Sequence, residues 1–598
     1  MGDESAVNHL KRRRSFRLRA AVGAGCALLA LLATAGWAAS RTVDLRGDLQ
    51  AVADLTRRLQ QQAMSGDREG AAATLAAVQR RTGAAAAAAN DPAVRLASLL
   101  PGKGRDIRAA RVLATAADDL ARDVLPPLLD AARQLGPPAQ PAASGVDLRQ
   151  IRALEQPVTT ALTALDPIRK RLATIPVRAL DPAAGAAVTD LRRKLDRGGD
   201  ALRAAQQAVQ LLPAMLGGGG ERRYLVLFQN LAEVRATGGM PGAWAVVAAR
   251  DGHLTLTAQG TASVGLRAFD APVLPVDPQV RSLYGAGVAS HPANITMVPN
   301  FPTAAAVARE MYRRRSGETV DGVVATDPVA LSYLLAATGP VAVDGGPALA
   351  TDNAVRVLLA ETYARYPTQA QQDAYFADAA RATFQALTGR ALNRGALLTQ
   401  LSRIVTERRL LVWSASPHEQ RGLAGTPLEG ALPDRDAAAA PLVGVFLNDG
   451  GGSKLDYYLA PSLELASAGC SIDGLRELTL RVTLRSAAPA SGLPAGVLTF
   501  AEVTDPYTAR TFVSVYAPVD WGVERGTLDG APVRLASGSD GGRMVVVTSV
   551  DLPPGASRVL EVRLVAQQVQ PGAWKPQART TPTVRPWTVE ARSAESCG

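Results

Sequence analysis

Asn230, Glu233 and Arg235 place an amide, a carboxylate and a guanidinium within six residues, directly after the apolar run Tyr224–Phe228. A guanidinium offers a planar fork of donors to a phosphate or a hydroxylated chain, and a carboxylate can act as general base or metal ligand. The structural alternative is that Glu233 and Arg235 pair with each other or with backbone and brace the local connection, since buried polar groups need partners in any case. The apolar run reads as a short buried strand. The three polar groups are then expected off its C-terminal end, where open α/β sheets place ligands. Gly238-Gly239 follow, and are read as a positive-φ turn or a close backbone approach.

Other chemistry-bearing residues are sparse. His253, His291 and His418 are isolated, without the second ligand a zinc site needs at close spacing. Asp327 ahead of Pro328 reads as a helix N-cap. Arg313-Arg314-Arg315 reads as a solvated helix end complementing the helix dipole, with docking of an anionic polymer or lipid headgroup as the alternative. The chain has no Gly-x-Ser-x-Gly, no P-loop and no Cys–His pair, so nucleophilic hydrolysis has no support. Gly217–Gly220 has no strand before it and no Gly-Lys-Ser/Thr after it, and is read as a linker. No cofactor or metal is implied by these residues.

The elements that must position these groups are set by composition. Of 598 residues, 47% are hydrophobic but only 4% aromatic, and the apolar content leans on alanine, which favours long helices. The net charge of +11 includes +4 within the first nineteen residues, so +7 is spread thinly over the rest. With no aromatic-interleaved basic patch or base-reading motif, nucleic-acid binding is rejected. Ala20–Ala39 carries no charge and at helical rise covers about 30 Å, a bilayer's hydrocarbon thickness. The arginines before it and Trp37 near its end orient the segment with the N-terminus cytoplasmic and everything after Ser40 outside. A cleaved signal peptide ending near Ala33-Thr34-Ala35 is the alternative. Cys470 and Cys597 would both be extracytoplasmic, and a disulfide between them is the preferred reading over two independent thiols.

The resulting organisation is multidomain α+β. A cytoplasmic basic tail (1–19) and a transmembrane helix (20–39) lead into an Ala-rich helical stalk or bundle (41–216). An α/β domain (221–420) and an antiparallel, immunoglobulin-like β-sandwich (440–598) follow. Within the bundle, Pro126-Pro127 is expected to kink or split a helix. From about Pro441 the hydrophobic period becomes two, clearest in Glu477–Arg485.

The central and C-terminal parts resemble a bacterial family of membrane-anchored proteins, domain of unknown function 4012, found mostly in Actinobacteria. The resemblance rests on Tyr224–Asn230, on Glu233, Arg235 and Thr237-Gly238-Gly239, and on Asn300-Phe301-Pro302. Val320–Pro328, Thr338–Val341, Asp352-Asn353, Asn448 and Ser453–Tyr458 extend it over about two thirds of the chain. It adds Thr237 and Asn300 to the ligand-binding candidates Asn230, Glu233, Arg235, Gly238 and Gly239. A weaker resemblance runs to the LytR-CpsA-Psr enzymes, which transfer glycopolymers from polyprenyl-pyrophosphate carriers to the cell wall. Their Arg-x-Asp-Thr and Pro-Arg-Asp blocks are replaced here by Arg235-Ala236-Thr237 and Met297-Val298-Pro299-Asn300. The function expected is a membrane-anchored envelope protein that binds or helps assemble envelope polysaccharide. A glycopolymer phosphotransferase, with a divalent metal, is the enzyme alternative; a protein-interaction scaffold is the third.

Overall fold

The computed structural model describes residues 67–134, 145–389, 392–437, 439–471, 473–570 and 572–594, with parts of 54–62. The chain divides into two compact units. The first comprises Met1–Glu221, Ala249–His253 and Ala391–Arg403; the second comprises Arg222–Ala248, Leu254–Arg390 and Ile404–Gly598. The expected transmembrane segment, 20–39, lies outside the described residues, among which no helix is long and apolar enough to cross a membrane. Cys597 also lies outside them, so the expected disulfide does not fall within the described structure.

The first unit is helical: α1 (Arg68–Ala89), α2 (Pro92–Ala97), α3 (Gly104–Asp119), α4 (Leu125–Gln134), α5 (Leu148–Ala153), α6 (Glu155–Ala173) and α7 (Pro182–Met215). Aspartates start several of them. Asp67, Asp91 and Asp147 each accept a hydrogen bond from a first-turn amide, which satisfies a donor the helix leaves unpaired. The apolar stripes of α3, α6 and α7 meet in one core around Leu113, Leu120, Leu165, Leu172, Leu191 and Leu195. Pro126-Pro127 stand in the first turn of α4, and the α-helical run is interrupted directly before them, in keeping with the expected kink or split. A π-helical turn, Leu120–Val124, precedes them and widens the turn that the Pro126 ring would otherwise crowd. The glycine run is packed where a free linker was expected. Gly217 has φ +81°, a side chain there would strike the Ala249 carbonyl, and its own carbonyl accepts the Asp251 amide at 3.2 Å.

The second unit is mixed α+β and contains three sheets. The first has the order β3 (His253–Thr261), β2 (Gly238–Arg250), β1 (Arg222–Arg235), β4 (Gly322–Thr326), β5 (Leu410–Ser414); β1 and β4 are parallel, β4 and β5 antiparallel. Leu225 and Leu227 of β1 point to one face, where they are fully buried against α9 (Phe301–Ser316) through Phe301, Ala304 and Met311. The alternate residues Val226 and Phe228 point to the other face, towards α10 (Pro328–Thr338) and α11 (Gln369–Gly389). A short helix, α8 (Pro278–Tyr284), precedes α9.

Two further sheets pack around a second core formed by residues such as Val445, Leu480, Val513, Val546 and Leu564. One sheet contains β6 (Leu442–Asp449), β9 (Ala509–Tyr516), β12 (Ala536–Asp540), β13 (Arg543–Leu552) and β15 (Gln577–Thr580). The other contains β7 (Leu459–Cys470), β8 (Arg476–Ser486), β10 (Trp521–Leu528), β11 (Ala531–Pro532), β14 (Ser557–Ala566) and β16 (Thr588–Ala591). The expectation of a wholly antiparallel arrangement needs correction. β15 pairs parallel with β6 and β16 parallel with β7, so the last stretch of chain adds a parallel edge to each sheet.

A cavity beside a buried ion network

β1 is fourteen residues long, not five, and its extra length explains the site. Asn230, Glu233 and Arg235 lie within this strand and not beyond its end. The strand continues because its second half is covered by β6 and by the loop after it. Asn448 Oδ1 accepts the Ala236 amide at 3.1 Å, and Thr581 Oγ1 donates to the Ala236 carbonyl at 3.2 Å. Val234 belongs to the core of the two packed sheets, while Leu225 and Leu227 belong to the core under α9. One strand therefore serves both layers of the second unit.

Against the β1–β2 face lies a cavity of about 730 Å³, bounded by α10, the helical stretch 354–365 and α11. Its volume falls in the range of small-molecule sites, roughly 300–1,000 Å³. The walls are mostly apolar: Val226, Phe228, Val247, Leu334, Phe376 and Phe384 are representative. One corner is polar. Lys454 Nζ donates to Glu233 Oε1 at 3.0 Å and stands 5.0 Å from the centre of the Tyr363 ring, and Asn230 Nδ2 donates to the Tyr363 hydroxyl at 2.9 Å. All four side chains line the cavity, as do Gly452 and the 75% exposed Phe500. Burial, with the Glu233 charge adding to it, raises the Tyr363 pKa, so its hydroxyl stays protonated and available as a donor.

Behind this corner is a buried ion network. The Arg235 side chain is only 8% exposed and does not line the cavity. Its guanidinium donates to the carbonyls of Val234 (2.9 Å), Asp449 (3.3 Å) and Ala293 (3.3 Å), and lies 3.7 Å from the Asp449 carboxylate. Asp449 in turn accepts the amides of Gly451 and Gly452 at 3.1 and 2.8 Å, a turn that the glycines permit; Gly452 has φ +65°. Asp456 Oδ2 accepts the Val234 amide at 3.0 Å, while Oδ1 has no partner among the described residues. Burial raises the pKa of both aspartates, Asp456 strongly, because it also faces the charges of Asp449 and Glu233. Three carboxylates and two cations thus share this junction, and a proton on Asp456 would balance them.

The remaining sequence candidates have structural partners. Thr237 is buried and its hydroxyl accepts from Gln229 Nε2 at 3.0 Å. Gly238 has φ +143°, and a side chain at Gly239 would strike the Asn230 carbonyl, so both glycines serve backbone approach. Asn300 caps α9 by accepting the Thr303 amide at 3.2 Å. Asp327 caps α10 and pairs with the buried Arg409 at 3.0 Å. Arg313 and Arg314 both pair with Glu310, whose pKa their hydrogen bonds hold down to about 2. His291 lines the cavity and shares a 2.9 Å hydrogen bond with Ser290. Among the described residues no group of three or more His, Cys, Asp or Glu side chains is arranged to hold a metal.

Lys454, Tyr363, Asp449 and Asp456 were not singled out as site residues from sequence. The available signal was the Asn448–Asp456 stretch, in which charged residues surround a glycine-rich turn directly after the apolar strand β6.

These features define a mixed α+β protein of three sheets with an apolar cavity alongside a buried ion network. Residues 219–363 match the family described as protein of unknown function, DUF4012. The matched segment runs from the start of β1 to Tyr363, so it includes Asn230, Glu233 and Arg235 but not the loop that carries Lys454 and Asp456. It is narrower than the two thirds of the chain over which the sequence resemblance was drawn. No curated protein matches the chain.

Proposed function

We propose that the second unit is a non-catalytic receptor for an amphiphile of the bacterial cell envelope, a lipid-linked polysaccharide precursor. Its apolar chain occupies the cavity, and its polar head meets Lys454, Glu233, Asn230 and Tyr363. The observation that carries this reading is the cavity itself, about 730 Å³ and largely apolar, with a single ion pair at its polar corner. Each methylene group buried there contributes roughly 0.8 kcal/mol, so an isoprenoid or acyl chain gains much of its affinity from the walls. The envelope location rests on the arginine cluster before residue 20 and the uncharged stretch 20–39.

The phosphotransferase alternative draws less support. It needs a free guanidinium for the pyrophosphate, and that of Arg235 is occupied by three carbonyls and Asp449, away from the cavity. Glu233 does face the cavity, but its partner is Lys454.

The test uses full-length protein in nanodiscs with a polyprenyl phosphate carrying a photoreactive group on its chain. Cross-links on α11, around Phe376 and Phe384, are the expected result. Ala380→Phe, which fills part of the cavity, lowers their yield about tenfold, the scale of a steric mismatch in an apolar pocket. Cross-links confined to residues 20–39, or unchanged in Ala380→Phe, would sink the proposal.

A further inference from the structure

The helical unit carries a second cavity of a different kind. A groove of about 390 Å³ between α3 and α6 is lined by four guanidinium groups: Arg105, Arg108, Arg111 and Arg171. The first three recur every third residue on α3 and so share one face. Among the described residues only Arg171 of the four has an acidic partner, with Nη1 2.6 Å from Asp119 Oδ2. Arg105, Arg108 and Arg111 have no carboxylate partner among the described residues. The nearby acids are engaged elsewhere: Asp106 accepts the Asp181 amide, and Asp181 pairs with Lys103.

Arg111 fixes the geometry. Its guanidinium donates to three neutral acceptors, the Ala89 carbonyl (3.1 Å), the Ser98 hydroxyl (3.2 Å) and Asn90 Oδ1 (3.2 Å). Its position is therefore held while its charge is left uncancelled. Ser98 belongs to the turn between α2 and α3, which also holds Leu99 and Leu100, exposed by 74 and 58%; Leu96, 70% exposed, lies at the end of α2 just before it. The turn is tightly built, for a side chain at Gly104 would meet the Ser98 carbonyl at 2.7 Å. The three leucines and the arginine groove are thus joined through one hydrogen bond, and Arg95 and Lys103 add exposed charge beside them.

We propose that this tip of the helical unit docks on a lipid bilayer bearing anionic headgroups, with a lipid phosphate in the arginine groove and the three leucines in the interfacial layer. Exposed leucines alone would suit many partners. The adjoining uncancelled guanidinium groups select an anionic one, and phosphate matches their donor geometry. Apolar insertion beside basic residues is the pairing that strengthens attachment to an anionic membrane surface.

The experiment measures amide hydrogen exchange across residues 92–112 in the full-length chain held in nanodiscs. Exchange is compared in phosphatidylcholine alone, in phosphatidylcholine with phosphatidylglycerol, and in phosphatidylcholine with soluble pyrophosphate. The expected result is slower exchange with phosphatidylglycerol only. Arg105→Glu with Arg108→Glu reverses that protection, by about fivefold for each arginine lost; Leu96→Ser, Leu99→Ser and Leu100→Ser together also reverse it. All these side chains are exposed, and thermal melting checks that the variants fold. Protection by pyrophosphate without dependence on lipid or leucines would overturn the membrane assignment in favour of a soluble-anion site. Equal exchange of the unsubstituted chain under all three conditions would overturn the site altogether.

Discussion

The two units differ in whether they bury ion pairs: both carry pairs on the surface, but among the described residues the second unit also encloses several. In the helical unit, ion pairs lie along helix surfaces and are partly or well exposed, as in Arg203–Asp200 and Arg193–Asp190 at i,i+3 spacing. In the second unit, Arg543–Asp436, Arg409–Asp327 and Arg235–Asp449 are almost wholly buried. Exposed pairs contribute little, because solvent screens them and ordering two long side chains costs entropy. Buried pairs carry a desolvation cost that is offset only when further hydrogen bonds satisfy the remaining donors and acceptors. Arg543 illustrates this through its two terminal nitrogens, which besides Asp436 donate to the carbonyls of Leu442, Ala517 and Pro433, while its buried Nε has no partner among the described residues. The helical unit centres on an aliphatic core without fully buried ion pairs among its described residues, whereas the second unit uses buried charge to fix how its sheets and loops meet.

That contrast can be broken at several points. The largest effect is expected at Arg543→Met, which leaves Asp436 buried without its partner and should lower unfolding free energy by about 3–5 kcal/mol in urea denaturation. A loss below about 1 kcal/mol would show that the buried pair is dispensable and the contrast superficial.

Asp456→Asn should act through pH. Burial raises the Asp456 pKa well above its ordinary value of 3.8. The folded state then holds a proton that the unfolded state has released, and stability falls as pH rises from about 3.8 towards the folded value. The asparagine variant lacks this titration and can still accept the Val234 amide. Its stability should therefore decline less over that window, as read from urea midpoints at a series of pH values. Identical pH profiles for the two proteins would remove Asp456 from the account.

The smallest effect is expected in the helical unit. Arg203→Ala should change stability by at most about 0.5 kcal/mol, because both partners of its pair are exposed. A larger loss would mean that surface pairs hold the bundle together after all.

Much of the secondary structure was legible from local pattern. The helices at 92–97, 301–316, 328–338, 369–389 and 394–406 begin close to their proline, asparagine or aspartate signals. The alternation of Glu477–Arg485 became β8. Periodicity read the first half of β1 correctly, since Leu225 and Leu227 alternate with Val226 and Phe228. It stopped at Phe228 because Asn230, Glu233 and Arg235 look like the end of an apolar strand. Their continuation depends on cover supplied by Asn448, Asp456 and Thr581, more than two hundred residues away. The glycine run was misread for a related reason: composition suggests freedom, but the close approach of Gly217 to the Ala249 carbonyl is visible only in three dimensions.

The sequence by itself determined where many of the helices and strands would begin, because capping and apolar periodicity act over a few residues. It also placed an amide, a carboxylate and a guanidinium on one short stretch. Which of these faces the cavity was decided only by tertiary structure. Glu233 and Arg235 share one parity along β1, so alternation does not separate them; Asp449 and three carbonyls hold Arg235 in the junction, and the loop after β6 brings Lys454 to Glu233 at the cavity corner. The same holds for the arginines of α3, whose spacing is local but whose lack of acidic partners depends on where α6 and the turn before α3 come to lie. Local sequence sets which groups are available; burial and long-range pairing determine which of them remain free to act.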